Sequence, residues 1–225
     1  MRTVVITGGN RGLGRALAEQ FIAKGYRVVI CARNKGEVEA AAKEIGAIAF
    51  AADITNETEV KALVDFAVLT LGRIDIWINN AGVWIRHSPV EQLDIERIRK
   101  MFEVNVFGVM SGSKLALTQI RKQNGGTIIN INSTSGLTGR PTSSSYAASK
   151  WALRGFTESL REECKGSNIR IISVYPGGMR TSLFDEDKPQ DIDSYMSPES
   201  VARKIAENLD QENPQDELII KRPAQ

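Results

Sequence analysis

The sequence predicts a single α/β domain, doubly wound around a parallel sheet with helices on both faces. Three observations lead there. Short β-branched runs recur along the whole chain, longer amphipathic segments separate them, and no internal repeat, low-complexity tract or Pro/Gly linker divides residues 1–225. The runs are almost continuously apolar rather than alternating, as strands buried on both faces of a parallel sheet are.

In chain order the expected strands are 3–7 (TVVIT), 27–31 (RVVIC), 47–51 (AIAFA), 74–78 (IDIWI), 127–131 (TIINI), 169–175 (IRIISVY) and 217–221 (ELIIK). Between them the pattern predicts helices over 13–23, 35–45, 57–71, 94–122 and 145–165, with 198–210 before the last strand. Asn56 is placed to cap the third helix and Gly72 to end it. Ser197 and Pro198 supply a cap and a proline at the first position of the last helix. Ligands of such sheets bind at the carboxyl ends of the strands.

Composition excludes several classes. A net charge of +2, with 42% hydrophobic and 25% charged residues, gives no reason to expect a nucleic-acid or membrane partner. Two cysteines, Cys31 and Cys164, are too few for a disulfide framework and read as reduced thiols. No Cys or His pair has metal-ligand spacing, so no metal site is expected, and His87 is the single histidine. No G-x-S-x-G elbow accompanies it. The first apolar run is too short for a signal peptide and no run approaches a membrane span, so a cytoplasmic protein is expected.

Chemistry is suggested first by TGGNRGLG, from Thr7 to Gly14, directly after the first strand. Gly8 permits a tight turn, Gly12 a close approach of backbone to a pyrophosphate, and Gly14 close packing of the following helix. The helix start, with Asn10, Arg11 and Leu13 in the same turn, offers free N–H groups and a positive dipole end to phosphate. At the end of the second strand stand Ala32 and Arg33, with no carboxylate at the turn to repel a 2′-phosphate, and Arg11 reaches the same place from the glycine turn. Two arginines there favour NADP(H) over NAD(H).

Tyr146 and Lys150 stand four residues apart on one helix face. A tyrosine alone has a pKa near 10, and an ammonium one turn away favours the phenolate, which is expected to lower that value towards neutrality.

Tyr146-x-x-x-Lys150, the T-G-x-x-x-G-x-G turn and NNAG at 79–82 together resemble the short-chain dehydrogenase/reductase family over essentially the whole chain. The resemblance implies a Rossmann-like sheet and a hydride transfer between NADP(H) and a carbonyl or secondary alcohol. It assigns Ser133, thirteen residues before Tyr146, to polarising the substrate oxygen, and Lys150 also to the nicotinamide ribose. It gives Asn105 the task of holding a water that links Lys150 to solvent. It sets Asp53 and Ile54 beside the adenine, and Asn80, Ala81 and Gly82 along the cofactor. Pro176, Gly177, Met179 and Thr181, within PGGMRT, hold the nicotinamide amide.

Departures from the family pattern are Asn132, where a second serine is common, and Met179, where Val or Ile is usual. The stretch between Thr181 and Ser197 is short, so a small lid is expected over the substrate. Trp77 and Trp151 read as core or interface, and Trp84 and His87 as candidates for the substrate wall. The acidic run at 184–193 reads as a solvated loop that disfavours acidic substrates. A 3-oxoacyl-carrier or 3-oxoacyl-CoA reductase is the enzymatic alternative. Asn124 and Ser167 stand where the carrier-linked reductases of this family have docking arginines, which argues against it. A non-catalytic NADP-sensing regulator is the other alternative. The resemblance further implies a homodimer or homotetramer paired through the helices at 94–122 and 145–165.

Overall fold

The computed structural model describes residues 1–185 and 187–222. Its elements in chain order are β1 (Thr3–Thr7), α1 (Gly12–Ala23), β2 (Arg27–Ala32), α2 (Lys35–Ile45), β3 (Ile48–Ala51), α3 (Glu57–Leu71) and β4 (Ile76–Asn79). There follow α4 (Ile95–Phe102), α5 (Val109–Lys122), β5 (Gly126–Ile131), α6 (Ser144–Glu163), β6 (Ile169–Pro176), α7 (Pro198–Leu209) and β7 (Glu217–Ile220). The strands form one parallel sheet in the order β3-β2-β1-β4-β5-β6-β7. The expected doubly wound fold is present, and each expected strand falls within two residues of its place.

Strand periodicity sorts the core into two layers. Val4, Ile6, Val28, Ile30, Ile76 and Ile78 face α1, α2 and α7. Val5, Val29, Cys31 and Trp77 face α3, α5 and α6. Successive side chains of a strand alternate faces, and here both faces are covered. Trp77 is fully buried, whereas Trp151 is 47% exposed, which removes it from the core.

The expected caps are in place. The Asn56 side chain accepts from Thr58 N at 3.0 Å. The Ser197 hydroxyl accepts from Ser200 N at 3.1 Å ahead of Pro198. Gly72 closes α3 at φ 86°.

One expectation fails. The helix read as continuous over 94–122 is broken into α4 and α5 by a π-helical stretch, Glu103–Gly108. Two local demands explain the widening. The Asn105 side chain pairs with the backbone of Val83, and Gly108 presses on Ile54, where a Cβ would lie 2.7 Å from Ile54 Cδ1. Both contacts sit on one side of the helix while α5 keeps Ala116, Leu117 and Ile120 on the core. A π turn re-phases the helix to meet them, and such turns cluster at functional sites.

The order of the sheet reverses between β1 and β4, and the loops after these strands part there to leave a crevice. Gly14 controls the near wall: a Cβ on it would fall 2.0 Å from the Gly8 carbonyl oxygen and 2.5 Å from Asn80 Nδ2. Gly155, exposed in α6, has nothing within 4 Å of its Cβ position. Gly14→Ala is therefore expected to lower stability by about 1–3 kcal/mol, or several degrees in Tm. Gly155→Ala is expected to raise it by up to about 1 kcal/mol through helix propensity. Thermal unfolding of the two variants checks both signs.

Candidate active site

The glycine turn is stitched to the end of β4. Thr7 Oγ1 accepts from Asn80 N and Ala81 N, each at 3.1 Å, and Asn80 Nδ2 donates to the carbonyls of Thr7 at 2.9 Å and Gly8 at 3.0 Å. Asn80 thus shapes the turn with its side chain, a structural task in addition to lining the crevice. Gly8 and Gly12 hold φ values of 64° and 54°, which side-chain-bearing residues rarely adopt. A Cβ on Gly12 would sit 3.4 Å from Thr181 Cγ2, on the opposite wall, so the glycine keeps open the gap that a pyrophosphate needs. The free backbone N–H groups at the start of α1 point the same way, and the residues present fit a dinucleotide.

All the residues assigned to cofactor and catalysis from sequence, except Gly14 and Asn105, line one cleft of about 430 Å³. Gly14 lies behind the glycine turn and Asn105 behind Val83. Asp53 binds Thr55 through Oδ1, accepting from its N at 2.9 Å and its hydroxyl at 2.8 Å.

Arg11 and Arg33 both line the cleft and both are exposed. The sequence reading found no carboxylate at this turn, and the structure corrects it. Glu37, in the first turn of α2, lines the same cleft and accepts from Asn10 Nδ2 at 2.9 Å and Asn34 Nδ2 at 3.1 Å. One helical turn brings it back beside Arg33, a proximity that i to i+4 spacing encodes.

Tyr146 and Lys150 rise from the first two turns of α6, and the Tyr146 hydroxyl lies within hydrogen-bonding reach of Ser133. Ser133 Oγ also accepts from Ser135 N at 3.1 Å, capping a short 3-10 turn. Lys150 Nζ donates to the Ile131 carbonyl at 3.2 Å and sits 5.7 Å from the centroid of the Tyr146 ring. The expected tuning is inverted in this state. Burial pushes the Tyr146 phenol up to about 12, with Ser133 only partly offsetting it. Burial also brings the Lys150 ammonium down to about 8. Desolvation disfavours both charged forms, and at this separation it outweighs their mutual help.

The side chain of Asn105, expected to help hold a water, has a structural task in the wall of the cleft. Its Oδ1 accepts from Val83 N and its Nδ2 donates to Val83 O, both at 2.9 Å, so the side chain is committed to fixing the wall after β4. Nδ2 also lies 3.4 Å from Ser149 Oγ. Asn132, a departure from the family pattern, accepts from Ser133 N at 2.9 Å and donates to Lys150 O at 3.2 Å. It ties the Ser133 loop to the Tyr–Lys helix.

Beneath the site runs a buried polar chain that sequence reasoning missed. Trp77 Nε1 donates to Asn79 Oδ1 at 2.7 Å, and Asn79 Nδ2 to Asn130 Oδ1 at 2.8 Å and Ser113 Oγ at 2.9 Å. Asn130 Nδ2 then donates to Thr157 Oγ1 of α6 at 3.0 Å. The signal was an asparagine at the last position of one apolar strand, Asn79, and at the last but one of its neighbour, Asn130, positions paired in register.

At the far end of the cleft, Trp84 and His87 do form part of the wall. Ring centroids step from His87 to Trp84 at 5.3 Å, to Phe184 at 5.3 Å and to Tyr195 at 5.8 Å, all edge to face. Phe184 opens the acidic stretch at 184–193 read as a plain solvated loop, and Tyr195 lies two residues beyond its end. Glu186 of that stretch lies outside the described residues. The lid is short, as expected: two 3-10 turns, Ser182–Phe184 and Ile192–Ser194.

A parallel sheet that opens at its switch point onto a glycine turn, with a Ser–Tyr–Lys group across the cleft, defines a dinucleotide-dependent oxidoreductase fold. The short chain dehydrogenase family model matches residues 2–192. The chain belongs to that family, whose members are oxidoreductases using a nicotinamide cofactor. It is 33% identical to carbonyl reductase family member 4 of Xenopus laevis, over 91% of this chain and 89% of the relative. It is 34% identical to a diacetyl reductase [(S)-acetoin forming] of Staphylococcus epidermidis, over 82% of this chain and 74% of the relative. A 3-ketoacyl-(acyl-carrier-protein) reductase of Brucella melitensis, solved in complex with NADH, superposes with TM-score 0.90 at 28% identity, covering 99% of this chain and 97% of that one.

The lowered Lys150 value has a signed consequence. The folded group titrates near 8 and the unfolded one near 10.5, so between these values the unfolded chain binds the extra proton. The destabilisation from burying the ammonium is therefore full below about pH 8 and fades as pH rises towards 10. Lys150→Met is expected to raise the Tm of the ligand-free protein at pH 7, with the gain shrinking by pH 9.5. A gain independent of pH would mean that Lys150 titrates normally.

Proposed function

We propose that this protein is an NADP(H)-dependent carbonyl reductase or alcohol dehydrogenase, with Tyr146 as general acid and base. The observation carrying this reading is the Ser133–Tyr146 hydroxyl pair, with Lys150 behind it, facing the glycine turn across one cleft. A nicotinamide bound here supplies the hydride. Ser133 donates a hydrogen bond to the carbonyl oxygen and polarises it. Tyr146, whose phenol keeps its proton at neutral pH, delivers that proton to the developing alkoxide. Lys150 adds positive charge beneath the phenol and binds the ribose. Asn132 and Asn105 hold Ser133, Lys150 and Val83 in register.

Arg11 and Arg33 receive the 2′-phosphate of NADPH. Glu37 favours a second reading, NADH, because a carboxylate at this corner accepts ribose hydroxyls and repels phosphate. Its pairing with Asn10 and Asn34 engages both of its oxygens, which supports the first reading. The carrier-linked alternative gains nothing from Arg121 and Lys165, which pair with Glu163 and Glu162. Phe107 and Trp151, exposed on the π-helical stretch and on α6, support a homodimer or homotetramer through these helices. Among the described residues no helix is long and apolar enough to cross a membrane, and the cytoplasm is the proposed compartment.

Tyr146→Phe is expected to lower kcat for carbonyl reduction about 10²–10⁴-fold while NADPH still binds. A regulator that only senses the cofactor would keep its function in this variant. Arg33→Ala and Arg11→Ala are each expected to weaken NADPH binding about tenfold or more and leave NADH binding nearly unchanged. Titration calorimetry with both cofactors checks this, and an equal loss for both would remove the arginines from phosphate recognition.

A further inference from the structure

The substrate end of the cleft holds a charge with no counter-ion among the described residues. Arg140 lines the cleft, and its guanidinium makes no ion pair or hydrogen bond among the described residues. Two other arginines, Arg86 beside His87 in sequence and Arg222 on the cleft, are compensated, by Asp187 at 3.3 Å and by Asp191 at 2.7 Å. Those pairings also engage two carboxylates of the acidic run, which weakens the expected repulsion of acidic substrates. Burial lowers the pKa of the His87 imidazole, Arg140 adds to that and Asp187 opposes it, so the field of Arg140 reaches the aromatic wall.

Two more features meet beside it. Ser143 lines the cleft, is 2% exposed, and its Oγ has no hydrogen-bond partner among the described residues. A buried hydroxyl left unpaired costs about 1–3 kcal/mol and calls for an explanation. Thr142, between these two, holds φ 61°, a conformation that β-branched residues avoid, and its carbonyl accepts from Ser88 N at 2.9 Å. That bond draws the His87 loop against the Arg140 loop. Ser143 stands one helical turn before Tyr146, about 5–6 Å away between Cβ atoms. A group bound there is a few bonds from a carbonyl held at Tyr146.

We propose that Arg140, Ser143 and His87 form a subsite for an anionic group of the substrate, and that the substrate is an oxo acid with its carboxylate a few bonds from the reacting carbonyl. Arg140 supplies the charge and Ser143 the neutral donor, while the aromatic wall covers the carbon chain. This rests on the carbonyl-reductase reading.

The test measures NADPH oxidation with acetoacetate, methyl acetoacetate and acetoacetyl-CoA, alongside a neutral ketone such as cyclohexanone. The acid is expected to exceed its ester in kcat/KM at least tenfold. Arg140→Gln should collapse that ratio towards one through KM, Arg140→Lys should restore part of it, and Ser143→Ala should reduce it severalfold. Equal or better turnover of the ester by the unaltered protein overturns the subsite while leaving the carbonyl-reductase reading intact. An Arg140-dependent preference for the CoA thioester overturns the carboxylate in favour of phosphate. With no turnover of any carbonyl, the carbonyl-reductase reading falls, and calorimetry of acetoacetate with the NADPH-loaded protein decides the subsite. Binding abolished by Arg140→Gln upholds it, and absence of binding overturns it.

Discussion

Thr7 and Asn80 make the junction on which the site depends. Thr7 ends β1 and Asn80 follows the last residue of β4, the neighbouring strands from which the chain departs in opposite directions, and nothing in the parallel ladder holds the two departures together. One hydroxyl accepts two backbone N–H groups and one amide donates to two carbonyls. These bonds set the shape of the glycine turn and the direction of the Ala81–Trp84 wall at once. A layer below, the Trp77–Asn79–Asn130–Thr157 chain crosses from β4 to β5 and on to α6. It holds the helix carrying Tyr146 and Lys150 at a fixed height above the strand that leads to Ser133. Each amide is buried, and each is paired, so the network adds rigidity where an unpaired member would destabilise.

What could be read from the sequence was local in character. The strands, the caps at Asn56 and Ser197, the glycine turn and the Tyr146–Lys150 spacing all depend on residues close to one another along the chain. The family resemblance added the position of Ser133. Features set by distant contacts were not legible. Asn105 carries no mark showing that its amide faces Val83, twenty-two residues earlier. The π-helical stretch escapes a pattern search because a 3.6-residue period fits α4 and α5 separately, and only their relative phase betrays it. The direction of the Tyr146 and Lys150 shifts depends on burial, which spacing does not encode. Glu37 was within reach of sequence reasoning, since a helix starting after Asn34 carries it back to the Arg33 turn.

The lid shows how little chain a wall needs when each ring has a backing. Tyr195 packs against Gly178, where a Cβ would come within 2.5 Å of the ring. The Arg222 guanidinium covers the ring at 3.9 Å from its centroid and donates to Asp191 and Ser194. A parallel bridge between Met179 and Met196, with Arg180 N donating to Met196 O at 2.9 Å and Met196 N to Gly178 O at 3.0 Å, closes the loop at its base. Held in this way, Tyr195 supports Phe184, which in turn supports Trp84 and His87.

The π-helical stretch between α4 and α5 makes this segment intolerant of changes in length. Losing one residue from Glu103–Gly108 would restore a regular α-helix and rotate everything on its amino-terminal side by about 100° around the axis. Met101, now fully buried, would swing off the core, and Asn105 would turn away from Val83. Natural variation in this segment should therefore proceed by substitution, with insertions and deletions confined to the loop between Gly82 and Asp94. In that loop a gained or lost residue reshapes the substrate wall and leaves the helix phase untouched.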